Sequence, residues 1–289
     1  MKNRINFIII FLFQFFLINK ALSNEVEFKA KNIEITDDGN LTVANNAIAF
    51  IKEDNISING KKIKYFKNES LLLVEKGSIL LKNKSISIKS RNIKYSIDKS
   101  FINFQSKVII NDQISGLQIT SNEINFDNND QIIKSKKDSK ITDNLGNVYK
   151  VNNFEYSLEK KIIKLSDLKI VDIDQNTFNS DLAFLDLNNK ELIAKDINLN
   201  FKTPEGTENE PRLKGLSLIS DQYSTTIKKG TFTLCKRREK CPPWEMSAEE
   251  IKHDKNKKII YYKNASLKLY DKKVFYFPKF FHPDPTVKR

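Results

Sequence analysis

An apolar residue, four mostly polar ones, then apolar, polar, apolar: this eight-residue spacing recurs along the chain. It reads Phe28-KAKN-Ile33-E-Ile35, Ile58-NGKK-Ile63-K-Tyr65, Ile88-KSRN-Ile93-K-Tyr95, Ile119-TSNE-Ile124-N-Phe126 and Tyr149-KVNN-Phe154-E-Tyr156, with a weaker copy at Phe178-NSDL-Ala183-F-Leu185. The starts lie 30, 30, 31, 30 and 29 residues apart. So regular a period marks a repeat architecture, in which each unit buries its apolar face against its neighbours.

Between these anchors lies a second half-unit, for example "FINFQSKVIIND", "KIIKLSDLKIVD" and "KIIYYKNASLKLYD". Ile, Leu, Val and Phe alternate there with Lys, Ser, Asn and Asp, the period of a half-buried strand. Turn formers such as "DDGN", Asn59-Gly60, "DNND" and "LNNK" separate the runs, so each unit is expected to supply several short strands. Helical periodicity is nearly absent before residue 240. Proline is missing from Asn24 to Lys202, as a sheet that uses every backbone N–H requires. All seven prolines come later, and "TPEGTENEPR" (203–212) reads as an inserted loop. The spacing then returns as Met246-SAEE-Ile251-K-His253. One elongated all-β structure of antiparallel strands accounts for this better than two unrelated domains.

The first residues read as an export signal. Lys2 and Arg4 precede an apolar run, Ile5 to Ile18, and Ala21-Leu22-Ser23 places small residues where a signal peptidase cuts, giving a signal peptide over 1–23. The competing reading is an uncleaved anchor, but fourteen residues fall short of the roughly 20 that span a bilayer. Cleavage removes Lys2, Arg4 and Lys20 and lowers the net charge from +13 to +10. A basic exported chain meets anionic lipid or glycan; nucleic acid is not expected as a partner. Coding bias toward Ile, Lys and Asn accounts for part of the basicity.

Parts for catalysis are missing. The chain has two histidines, His253 and His282, no Gly-rich phosphate loop and no nucleophile motif. A β-helical polysaccharide lyase or glycosidase needs acids clustered on one face, whereas here they scatter through turns. The expectation is a non-enzyme without cofactors. Cys235 and Cys241 enclose "KRREK", and in an oxidising compartment the even number suggests one local disulfide. A metal site from Cys235, Cys241 and His253 fits no common zinc spacing. Lys236, Arg237, Arg238 and Lys240 form either a solvated turn or a contact for lipid phosphates. Trp244 is expected to pack where the chain re-enters the sheet, and His282, among prolines, to be structural.

The end of the chain carries a resemblance. "GTFTLC" (230–235) and the run from Ser247 through "VFYFPKFFHPDPTVKR" resemble the N-terminal periplasmic part of the LptD family of outer-membrane lipopolysaccharide-assembly proteins, alphaproteobacterial type. The repeats resemble the OstA-like fold that this family shares with the periplasmic carriers LptA and LptC. The resemblance implies an elongated, folded-over antiparallel β-jellyroll over 24–270, then a stiff connector over 271–289 leading to a β-barrel that is missing here. Phe275, Tyr276, Phe277, Pro278, His282, Pro283 and Pro285 would form that connector. In the family, cysteines in this region can instead bridge to the barrel, a role that Cys235 matches better than Cys241.

The resemblance further implies lipopolysaccharide as ligand. Partners would be an LptA-type bridge protein, the barrel and an LptE-type plug lipoprotein, at the periplasmic face of the outer membrane. Moving acyl chains through water costs roughly 0.8 kcal/mol per CH₂, which a continuous apolar groove avoids without any catalytic group. The lipid path is expected at Ile58, Ile63, Tyr65, Ile88, Ile93, Tyr95, Ile119, Ile124 and Phe126. The docking edge for the bridge is expected at Phe28, Ile33 and Ile35. A free-standing LptA- or LptC-like carrier is the alternative, and a structural β-solenoid or adhesin with a filled interior is the third reading.

Overall fold

The computed structural model describes residues 26–81, 85–144, 146–171, 175–203, 210–236 and 243–283. Residues 1–23, expected as a signal peptide, and Arg237, Arg238, Lys240, Cys241, Pro285 and most of the expected loop lie outside the described residues. The first ten strands are β1 (Val26–Lys29), β2 (Asn32–Thr36), β3 (Leu41–Ile51), β4 (Ile56–Phe66), β5 (Leu71–Leu81), β6 (Ile86–Ser96), β7 (Phe101–Asp112), β8 (Leu117–Asp127), β9 (Ile132–Ser135) and β10 (Ser139–Thr142). The other ten are β11 (Val148–Val151), β12 (Asn153–Ser157), β13 (Ile162–Val171), β14 (Thr177–Asp186), β15 (Glu191–Asn200), β16 (Arg212–Ser220), β17 (Ser224–Thr233), β18 (Trp244–Asp254), β19 (Ile259–Leu269) and β20 (Lys272–Pro283). All pair antiparallel in one sheet, and the fold is an elongated β-jellyroll.

Each thirty-residue unit is a hairpin of two long strands, most of them ten or eleven residues, where several short ones were expected. The reason is the four-residue gap, which encodes a bend inside a strand. In β4 the inward residues are Ile56, Ile58 and Gly60, then Ile63 and Tyr65. A strict alternation would continue at 62, so the pleat has slipped by one. The same slip separates Val74 from Gly77, Ser90 from Ile93, and Ser121 from Ile124. Such an extra residue bends a strand. Left-handed residues sit at the slip in alternate strands, namely Asn46, Lys76, Ser106 with Lys107, Asp167, Asp196, Lys229 and Asn264. In β1–β2, β9–β10 and β11–β12 the bend is sharp enough to break one strand into two.

Stacked side by side, these bends form a crease that folds the sheet over. Its inner side holds small residues, among them Ala47, Gly60, Gly77, Ser121, Ala248 and Ala265, because two walls meet there. The serines also satisfy carbonyls that the bend takes out of the ladder. Ser90 Oγ donates to Gln105 O (2.6 Å) and Asn92 O (3.0 Å). Ser180 Oγ repeats the pattern with Lys195 O (2.6 Å) and Leu182 O (2.9 Å). Ser90→Ala is therefore expected to lower unfolding free energy by about 1–3 kcal/mol, the effect of stranding a buried carbonyl. Equilibrium denaturation checks this; a variant as stable as the parent would show that the serine only fills space.

Long β strands place their ends far apart, roughly 35 Å for eleven residues at ~3.3 Å each. Folding brings them together as two lips. The turn between β3 and β4 lies on the first lip, and the turns at 97–100 and 128–131 lie on the second. Asp54 in the former accepts hydrogen bonds from Ser100 Oγ (2.7 Å) and Asn128 Nδ2 (3.1 Å) in the latter, and from the Tyr95 hydroxyl. Farther along, Tyr156 OH donates to Asp112 Oδ2 across the same gap (2.7 Å). Burial and the Asp112 carboxylate both push the Tyr156 phenol pKa up, so it stays a donor. The second lip is sewn lengthwise by backbone bonds such as Lys67 N to Asn40 O (2.8 Å) and Ile97 N to Ser70 O (2.9 Å).

No break in the sheet occurs at residue 270. The aromatic segment read as a connector forms β20, paired with β19 from Lys272↔Leu269 to Pro283↔Ile259. It is one more copy of the repeat, Phe275-YFPK-Phe280-F-His282. Pro278 is tolerated because β20 has one strand partner among the described residues, leaving an edge that needs no N–H.

Candidate functional site: an apolar trough inside the folded sheet

Every strand turns its inward residues toward the space between the two walls. From β3 to β13 that space is filled. Ile58, Ile63, Ile88, Ile93, Tyr95, Ile119, Ile124 and Phe126 are at most 2% exposed, and Tyr65 is 8%. They pack on one another and on Phe104, Ile102 and Ile110 as a single core. The nine residues expected to line a lipid path all face inward, and in this structure their own side chains occupy that interior under closed lips.

From β14 onward the same inward rows lose cover. Leu192, Leu199, Phe232, Met246, Phe277 and Phe280 are only partly buried, and Phe275 is 63% exposed. Register places them on one wall-to-wall surface: the half-buried to exposed row Phe232↔Met246↔Leu267↔Phe275 toward the first lip, and past the crease the row Ile227↔Ile251↔Tyr262↔Phe280, buried until it reaches half-buried Phe280. The result is an apolar trough that deepens into the core and opens at β20. Trp244 starts β18 and meets Phe232 edge-on, ring centroids 6.4 Å apart, where the chain re-enters the sheet. Beside it, the Cys235 thiol is free and half-buried, its Sγ 3.7 Å from Trp244 O. Its expected partner Cys241 lies outside the described residues.

Aromatic groups cover both faces of the β20 end. Phe275, Phe277, Phe280 and His282 face the trough. Tyr276 and Phe281 face outward, Tyr276 OH donating to Asn264 Oδ1 (2.8 Å) and Phe281 resting on Tyr261. His282 Nδ1 donates to Pro283 O (2.6 Å), which leaves Nε2 to accept from Tyr262 OH (3.0 Å). Burial raises the Tyr262 pKa to about 12, keeping that proton in place.

At the opposite end, β1 and β2 both lie along β3, one on each side of the bend. Phe28 packs on Tyr65, with ring centroids 6.1 Å apart. Ile33 and Ile35 sit opposite Ala44 and Thr42, so they too face inward, yet they are 43% and 65% exposed. The apolar interior thus surfaces at both ends of the sheet.

A cleft of about 980 Å³ marks the outer surface over β7–β14. Its lining mixes Lys107, Lys140, Lys150 and Lys169 with Asp138, Asp167 and Asp181. Among the described residues no cluster of His, Cys, Asp and Glu could hold a metal ion, and no helix is long and apolar enough to cross a membrane.

Two features escaped the sequence reading although the repeat carried them. The second of the four gap residues is small in most copies (Ala30, Gly60, Ser90, Ser121, Ser180, Ala248), which marks the crease. The end of the chain fits the same spacing, which marks β20.

No family model matches this chain, and no curated protein matches it. Among solved structures, it is similar to the crystal structure of LptH, the LptA-homologous periplasmic component of the lipopolysaccharide transport device of Pseudomonas aeruginosa. That match has 10% sequence identity and a TM-score of 0.22, and covers 50% of this chain and 85% of that one.

Proposed function

We propose that the chain carries lipopolysaccharide in its apolar trough, as part of a transport device that delivers this lipid to the outer membrane. One observation supports the reading above all: the inward rows are continuous along the folded sheet, yet exposed where β14–β20 open and again at Ile33 and Ile35. A protein that used its repeats only as a scaffold gains nothing from leaving Phe275 exposed and Phe277 and Phe280 half-covered. Acyl chains laid there escape water at roughly 25 cal/mol per Å², and the sugars stay outside the lips. No bond is made or broken, so no catalytic group is required.

The finer reading is an LptD-type station that passes the lipid to a barrel with an LptE-type plug, and the resemblance of residues 230–289 to that family supports it. Under it, β3–β13 acts as a packed spine, and the nine anchors line the lipid path only when the lips part. The β1–β2 edge, paired only with β3 among the described residues, suits strand addition by an LptA-type bridge. A free-standing LptA- or LptC-like carrier would use the same trough.

Photoreactive residues test both ends in cells. At Phe280, lipopolysaccharide should be labelled, and at outward-facing Lys279 it should not. At Ile33 and Ile35, an LptA-type protein should be captured. No labelling at Phe280 would leave the filled scaffold as the better reading, and capture of the bridge only at β20 would reverse the orientation.

A further inference from the structure

The inner end of the second lip changes character along the chain. In the closed half it is lined by Tyr65, Tyr95, Phe126 and Tyr156. In the open half the equivalent positions are Ser220 on β16, Thr225 on β17, His253 on β18 and His282 on β20. Both histidines of the chain therefore share one row, on either side of Ile260. A buried apolar wall has no use for such a set.

Lys255 completes it. Its backbone N–H is fixed to Tyr223 O (2.9 Å), and its ammonium reaches over the end of β16 to donate to Ser220 Oγ (3.1 Å) and to Asp221 O. Ser220 Oγ is in turn 2.7 Å from Thr225 Oγ1, whose residue lies opposite His253. Two acids are near, and each is held by its own turn. Asp221 accepts from the amides of Tyr223 and Ser224 (2.7 Å each), and Asp254 Oδ1 from the amide of Lys257 (2.9 Å). Burial disfavours the charged ammonium and lowers the Lys255 pKa, a loss that the Asp221 charge opposes. An anion at this point would add to that opposition.

We infer that this cluster is the receptor for the anionic phosphate headgroup of the amphiphile, with Lys255 as the charged contact and Ser220, Thr225 and His253 as hydrogen-bonding partners. The inference rests on the reading of the trough as a lipid carrier. It commits to a headgroup because the cluster forms the rim of the trough, sharing its row with half-buried Ile260 and lying one row from half-buried Phe280, where a phosphate tethered to acyl chains is held at both ends. A trough without such a contact would let the lipid slide in either orientation; this one fixes the phosphates at the second lip.

The test uses the purified chain and two forms of one ligand, lipopolysaccharide and the same material enzymatically dephosphorylated, with inorganic phosphate as a third probe. The phosphorylated form should bind about tenfold tighter or more, the usual size of one charge-assisted hydrogen bond. Lys255→Met should erase that difference while leaving affinity for the dephosphorylated form unchanged, and Lys255→Arg should restore it. Equal binding of both forms to the parent chain would overturn the headgroup site while leaving the lipid trough intact. If inorganic phosphate alone bound as tightly and with the same dependence on Lys255, the site would be one for free phosphate and the inference would be wrong. Binding of neither lipid form would remove the trough reading, and this inference with it.

Discussion

Replacing Gly77 with valine should destabilise the fold by about 3 kcal/mol or more, at the upper end of what overpacking does. The sign is the informative part. Glycine weakens a strand by about 0.5–1 kcal/mol relative to alanine, so filling it would ordinarily help. Here a Cβ would lie 2.7 Å from the Asn59 carbonyl oxygen, 2.7 Å from Val74 Cγ1 and 3.1 Å from Ile93 Cδ1. The first of these is backbone of the neighbouring strand and cannot rotate away. Gly77 stands opposite Gly60 on the crease, so the two walls can approach only if both positions stay bare. Urea denaturation of Gly77→Val beside Ser78→Val, one residue along on the outer face, reads the effect. Equal stabilities for the two variants would mean that the crease is not a close contact.

The second large effect concerns the lips. Asp54→Ala removes one acceptor from three donors, Tyr95, Ser100 and Asn128, which come from elements 41 to 74 residues away in sequence. Hydrogen bonds to a charged group are worth about 1.5–3 kcal/mol each, and partial exposure allows water to replace some of that. A net loss of about 3 kcal/mol is expected. The structural consequence matters more, because Asp54 joins the turns of opposite walls. With it gone, the walls over β3–β8 should separate more often, and amide exchange in those strands should quicken relative to β14–β19. If lipid transport requires the closed half to open, a photoreactive residue at Ile93 should label lipopolysaccharide more strongly in Asp54→Ala than in the parent, while Lys94 stays unlabelled. Unchanged exchange and unchanged labelling would show that core packing alone holds the lips.

These two residues also show why the architecture was only partly readable. The thirty-residue period named the inward positions correctly: all nine anchors face the interior. It could not say whether that interior was filled. Filling depends on how closely two walls approach, and that is set by pairs such as Gly60 and Gly77, which meet across strands and are not adjacent in the chain. The repeat pattern likewise ran on into the aromatic tail, but the family resemblance made that segment, with its three prolines, read as a stiff connector. Proline excludes only central strands, and whether a strand is central or at an edge is a property of the sheet, not of the segment. His253 and His282 are 29 residues apart in sequence; register alone places both on one row beside the Lys255 turn.

What the sequence by itself determined is the part of the structure that depends on local periodicity. Alternation with a fixed slip gave bent antiparallel strands and an inward apolar face, because pleat and burial follow from the order of residues along a single strand. What only the tertiary structure decided is which stretch of that face is covered. Closure of β3–β13 and exposure of β14–β20 arise where the ends of different strands meet, Asp54 against Ser100 and Asn128, Asp112 against Tyr156. Those contacts join residues whose proximity exists only once the sheet has folded on itself, so no pattern within a strand could announce them.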